Sequence, residues 1–296
     1  MKKWILIVMT LVLVSACGND QQSAQPSHKD EKSATHKQDS ADTSQKASRD
    51  SQASSSSTTQ KTTHEDDVAK LSDQMKAALV FSSPEATAFT LSKEEILTGV
   101  FEQDYLNKPQ KKQLYKLYLI ESKGYTNGPD DMKFYSVYPP KKGFNTVMGI
   151  GKHKAFIGGT QSPGTYQQLL ETGKELDLDT LYAQNKQFKS LTELSQKVEF
   201  TNKNPMENEA TRKDFEGKEN PATMAHARSQ VYEMINKFEG KPINTKDYIW
   251  DNVRWDNGLT GWTVNYRNHN LEIVGTYKQV EGQPLVKLDA NGHKIK

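Results

Sequence analysis

The chain has 296 residues, 39 Lys and Arg against 37 Asp and Glu, a formal net charge of +2 and one cysteine. A near-neutral chain argues against nucleic acid as a partner, which calls for a clustered basic surface, and a single cysteine excludes an internal disulfide. Hydrophobic residues make up only 34%, low for a folded domain, so part of the chain is expected to stay outside any core.

The N-terminus explains part of the imbalance. Lys2 and Lys3 precede a run from Trp4 to Val14 that carries no charge, and Ser15 and Ala16 are small. A positive start, an apolar stretch and small residues before a cut describe a signal peptide over residues 1–16. The run is shorter than the roughly 20 residues a spanning helix needs. The only cysteine, Cys17, stands where the cut would fall. Val14-Ser15-Ala16-Cys17 resembles the lipobox of bacterial lipoproteins. The resemblance implies a diacylglyceryl group on the Cys17 thiol, cleavage before Cys17, and a protein anchored on the extracytoplasmic face of the cell membrane. Loss of Lys2 and Lys3 would leave the mature side chains with no net charge, and a lipidated Cys17 would leave no thiol for a metal site or a nucleophile.

Residues 17–67 read as that cysteine followed by a disordered tether. From Gly18 to Asp67 there is no Val, Ile, Leu, Met, Phe, Trp or Tyr, so nothing can be buried to offset the entropy of ordering. As a flexible coil the segment would span on the order of 40 Å, or about 170 Å fully stretched. His28, His36 and His64 are scattered along it, as solvated linker residues rather than a metal tract.

Residues 68–201 read as an α+β domain. Val68, Leu71, Met75, Ala78 and Leu79 recur at helical spacing and predict a helix over 66–80. Ser92 and Glu95 fit a capping box ahead of Ile96. Residues 114–119 and 134–138 are β-prone and separated by turn chemistry at 127–131. Residues 144–150 and 155–157 predict a hairpin around Gly151. Short helices follow over 166–172, 178–185 and 190–198, the last opened by Ser190 and Glu193. Residues 90–100 and 129–137 resemble an uncharacterised domain of lipoproteins from low-GC Gram-positive bacteria, over about 68–200. That resemblance brings no activity with it.

Residues 202–222 are polar, hold Pro205 and Pro221, show no sustained period, and read as a linker. Residues 223–296 open with a helix over 223–238, striped by Met224, Val231, Ile235 and Phe238 and stopped by Gly240. Strands are predicted over 248–255, 262–266, 271–280 and 285–288. A helix followed by an antiparallel meander, with Ala225 and Ala227 and a closing segment from Leu288 to Gly292, resembles the PepSY-like domains of exported bacterial proteins. The Trp-bearing strands depart from that pattern.

Candidate chemistry is sparse. Gly149 and Gly151 lack the third glycine and the following helix of a phosphate loop. Ser162-Pro163-Gly164 is not a nucleophile elbow. His153, His226, His269 and His293 lack helical zinc spacing. Glu94-Glu95 and Asp130-Asp131 sit where capping and turns use carboxylates. No catalytic residue, metal or cofactor is assigned. Trp250, Trp255 and Trp262, with Tyr266, form a possible binding surface for a sugar or peptide. Trp250 and Trp255 are five apart, so in one unbroken strand they face opposite sides, one buried and one available. Lys108, Lys111, Lys112, Lys116, Lys141 and Lys142 form a basic region that could meet an anionic leaflet or wall polymer. The leading expectation is a non-enzymatic, lipid-anchored surface protein that binds a cell-wall component or another surface protein. The alternatives are an extracytoplasmic hydrolase acting on cell-wall material and a solute-binding lipoprotein of a transporter. The latter is disfavoured by the absence of a repeated βα pattern.

Overall fold

The computed structural model of the protein describes residues 67–105, 108–256 and 261–296. Residues 1–66, which include the stretch read as a signal peptide, Cys17, the three scattered histidines and all but the last residue of the segment read as a tether, lie outside the described residues. What is described is α+β, built from two helix-backed sheets and one hairpin.

The larger sheet has six strands. They are β3 (Leu117–Glu121), β4 (Lys133–Tyr138), β5 (Asn145–Ile150), β6 (Lys154–Thr160), β7 (Lys174–Asp177) and β8 (Val198–Thr201). Their order is β7-β6-β5-β4-β3-β8, antiparallel except for the parallel β3–β8 pair. Alternation along the strands sorts the side chains. Leu117, Leu119, Tyr135, Val137, Met148, Ile150, Ala155 and Ile157 share one core. Against it pack α1 (Asp73–Ser82), α4 (Leu178–Asn185) and α5 (Lys189–Gln196). The alternate residues Phe134, Val147 and Phe156 build a smaller cluster with Tyr166 and Leu169 of α3 (Tyr166–Thr172). The predicted hairpin around Gly151 is present, closed by the Gly151 N–H donating to the Lys154 carbonyl at 2.9 Å.

The helix predicted over 66–80 is interrupted. A turn at 67–69 ends before Ser72, whose hydroxyl accepts the Met75 N–H at 3.2 Å and starts α1 afresh. From Ala77 to Phe81 every residue of α1 is buried, because sheet and helices surround it. The Ser92–Glu95 capping box forms as expected at α2 (Lys93–Thr98), with both reciprocal bonds present. The box predicted at Ser190 and Glu193 does not. α5 begins at Lys189 after Phe188, without a side-chain cap. Ser190 Oγ instead donates to the Asn270 carbonyl at 2.9 Å, and Glu193 pairs with Arg267. Partners distant in sequence outcompete the local cap. Residues 198–201, read partly as helix, form β8. A hairpin of β1 (Val100–Tyr105) and β2 (Lys108–Gln113) was not foreseen.

Residues 202–222, expected as a linker, hold a short 3-10 turn at Pro205–Glu207 and a ten-residue helix, α6 (Glu209–Lys218). Its one buried side chain is Phe215, edge-on to Tyr115 at 4.9 Å and close to Tyr118 and Tyr138. A helix that buries one residue per three turns has no apolar period to read. Its sequence signal is the i,i+4 charge pairing of Glu209–Lys213, Arg212–Glu216 and Asp214–Lys218, which supports exposed helices.

The smaller layer is α7 (Pro221–Glu239) on an antiparallel sheet of β10 (Arg254–Trp255), β11 (Trp262–Arg267), β12 (Ile273–Gln279) and β13 (Val286–Asp289), with β9 (Ile249–Trp250) also pairing with β11. Asn220 caps α7 and Pro221 takes its first turn, which sets the start two residues before the expected one. Gly240 ends it at φ 72°, the left-handed conformation that favours glycine. Ala227, Val231 and Ile235 pack on Val253, Trp262, Val264, Tyr266 and Tyr277. The last residues fold back along β13, with the Ile295 N–H on the Lys287 carbonyl at 2.8 Å, covering that edge.

Candidate functional site

The tryptophans of the C-terminal sheet are placed differently from the expectation. Residues 248–255 are not one strand, because Asp251–Val253 break it into β9 and β10, and the parity argument lapses with the break. Trp262 is 1% exposed, with its indole N–H on Gln279 Oε1 at 2.9 Å, and Tyr266 is buried beside it. Trp250 and Trp255 are half-buried and pack against the same core. Trp250 lies stacked over both Tyr266 and Tyr277 at centroid distances of 5.4 and 5.8 Å, and its N–H meets the Asn244 carbonyl at 2.8 Å. Trp255 stands across the ladder from Trp262. Gly275 makes room for this stack: a Cβ there would lie 2.4 Å from Tyr266 Oη. Trp262 and Tyr266 therefore belong to the interior of the smaller layer, and Trp250 and Trp255 pack half-buried against it, so the four do not form one open face for a sugar or peptide.

The break at Asp251 has a partner. Arg267, 0% exposed, is held by two carboxylates, each through two bonds. Its Nε and Nη2 donate to Asp251 at 2.6 and 2.8 Å, and Nη1 and Nη2 donate to Glu193 at 2.7 Å each. Nη1 also reaches the Leu271 carbonyl at 2.8 Å, and Nη2 the Leu97 carbonyl at 3.3 Å. Burial opposes the charge, but Glu193 and Asp251 hold the guanidinium above the usual arginine range. The chain continues from Asp251 to Asn265 at 2.9 Å and on to Thr276 at 2.8 Å. Asn252 adds bonds to the Thr98 carbonyl and Gln113, both at 2.7 Å. Glu193 and Leu97 belong to the larger layer, Asp251 and Arg267 to the smaller. The cluster joins the two layers, and its carboxylates are fully engaged by arginine.

The basic region is electrostatically mixed. Lys116 pairs with Glu199, Lys141 with Glu95 at 2.7 Å, and Lys142 with Asp104 at 3.4 Å. Lys108 and Lys111 stand exposed on β2. Glu95, Glu102, Asp104, Lys141 and Lys142 line an open groove of about 640 Å³. Burial raises the pKa of Glu95, but Lys141 and the Ser92 and Glu102 N–H groups outweigh it and hold the carboxyl below its usual range. Three of the six lysines are thus offset by carboxylates, which weakens the attraction of this surface for an anionic polymer.

The remaining candidates take structural roles. His153 Nδ1 lies 3.0 Å from Asp179, while His226, His269 and His293 are exposed. Asp131 accepts the Lys152 N–H at 2.7 Å in the hairpin. Among the described residues no group of three or more His, Cys, Asp or Glu is placed to hold a metal ion.

Glu219, which sequence reasoning passed over, lies between α6 and α7. It is 6% exposed, and its Oε1 has no hydrogen-bond partner among the described residues. Burial pushes its pKa up to about 7, Lys112 opposes this, and Glu216 adds to it. Between the ordinary value of 4.5 and 7 the folded chain holds a proton that the unfolded chain releases. Stability therefore falls as pH rises through that window, and the loss is complete above the folded pKa. Glu219→Gln is expected to flatten this dependence and to be more stable than the parent at alkaline pH, by roughly 3 kcal/mol at most. Denaturant titrations on both sides of the window measure it, and equal pH dependence in the two proteins would contradict the assignment.

No family model matches the chain, and neither a curated protein nor a solved structure does.

Proposed function

We propose that this chain is a membrane-anchored extracytoplasmic lipoprotein, acting as a non-enzymatic binding or accessory protein at the cell surface. The observation that carries the reading is Val14-Ser15-Ala16-Cys17 closing an uncharged run that follows Lys2 and Lys3. A cysteine is the residue a thioether-linked lipid requires, and this chain has one, placed at the cut. A single acyl chain holds a protein to a membrane only marginally, whereas two retain it stably, so a diacylglyceryl group suffices as the anchor. A segment without large apolar side chains from Gly18 to Asp67 suits a spacer between that anchor and the folded layers. The binding role is supported by open polar grooves on the folded layers. Its partner would be a cell-wall component or another surface protein.

Cys17→Ala tests the anchor. The parent is expected in the membrane fraction, and the variant in the medium or as an unprocessed precursor. A variant that is processed and stays in the membrane would refute the anchor.

A further inference from the structure

On the α1 side of the larger sheet, the apolar rows of two neighbouring strands end in charged residues. Along β4 the row reads Val137, Tyr135, Lys133; along β3 it reads Leu117, Leu119, Glu121. Glu121 and Tyr135 face each other across the ladder, which puts their Cβ atoms about 5 Å apart. Phe200 of β8 stands edge-on to Tyr135, ring centroids 4.9 Å apart at 86°. The sheet extends beyond the start of α1, and Asp73 and Gln74 of its first turn bound the space left over. The result is an open pocket of about 350 Å³, at the small end of the range for ligand sites.

Two features set it apart from an ordinary sheet end. Tyr135 is 5% exposed, yet it lines the pocket and its hydroxyl has no hydrogen-bond partner among the described residues. Burial first, then the charges of Asp73 and Glu121, push this phenol up to about 12; like any phenol it is a donor at neutral pH. In addition, Asp73, Glu121 and Lys133 all border the pocket, and among the described residues none has an ion-pair partner. In the basic region, by contrast, Lys116, Lys141 and Lys142 are each paired with a carboxylate.

We infer that this pocket binds a small zwitterion of the α-amino-acid class. The ammonium lies between Asp73 and Glu121, beside the half-buried Phe200 ring, an aromatic that attracts a cation. The anionic group turns to Lys133 and accepts from the Tyr135 hydroxyl, a charge-assisted bond. The inference rests on the binding reading and is independent of the lipid anchor, so either can fail alone.

Calorimetric titration of the full chain with alanine tests it, with methylammonium chloride and sodium acetate as the two half-ligands and glucose as a neutral control. Alanine is expected to bind saturably, and each half-ligand at least about tenfold more weakly. Glu121→Gln and Lys133→Gln should each weaken alanine binding by about tenfold, and Tyr135→Phe by several-fold, with melting temperatures near that of the parent. No saturable binding of alanine, a half-ligand or glucose matching it, or folded variants that bind it unchanged would each overturn the inference. The half-ligand comparison uses the unaltered protein, so it decides the matter even if a variant fails to fold.

Discussion

Arg267→Ala is expected to lower the stability of the folded unit by about 3–5 kcal/mol, because removing one member of a buried ionic cluster leaves uncompensated charge behind. Here two carboxylates would lose their cation. Asp251, 6% exposed, has only Asn265 among side chains to fall back on. Glu193 sits nearer the surface and can recover water. Arg267→Lys should restore little, since one ammonium cannot reproduce four bonds to two carboxylates and two to carbonyls. Denaturant unfolding of the three proteins measures this. Since the cluster joins the layers, the variant should also be cut faster by protease between them, near residues 202–208. A loss below about 1 kcal/mol, the range of an exposed pair, would mean that the cluster does not hold the layers together.

Trp262→Ala is expected to cost a similar amount, about 3–5 kcal/mol. The indole is 1% exposed and packs against α7 and the sheet, and its removal also strands the Gln279 amide oxygen. Trp255→Ala, across the ladder and half-buried, should cost distinctly less. Thermal melts of the two variants give the comparison. Equal losses, or a loss at Trp262 within the ±0.5 kcal/mol typical of surface changes, would move Trp262 out of the core and return the cluster to the candidate binding surfaces.

Elements specified by neighbouring residues were legible in the sequence. The capping box at Ser92 and Glu95, the hairpin around Gly151, the helix stopped by Gly240 and the α+β class all rest on short-range chemistry. What could not be read depends on contacts across the fold. Ser190 and Glu193 carry the same local pattern as Ser92 and Glu95, but Asn270 and Arg267, some 80 residues away, claim their side chains. The alternation between Trp250 and Trp255 assumed a continuous strand, and Asp251 breaks it by turning to Arg267. Helix α6 was missed because Phe215 is the only apolar side chain it buries; its i,i+4 charge pairs were the signal available. The pocket at the end of the larger sheet was half-legible. The two-residue period places Lys133 with Tyr135 and Leu119 with Glu121, but only the register between β3 and β4 brings the two sets together.

The lipoprotein reading makes Cys17 the first residue of the mature protein and the residue that carries the lipid. Mass spectrometry of the N-terminal peptide released from membrane-extracted protein addresses it directly. The expected peptide begins at Cys17 and carries a diacylglyceryl group in thioether linkage. An unmodified cysteine in the mature chain, or a mature chain that begins at another residue, would contradict it.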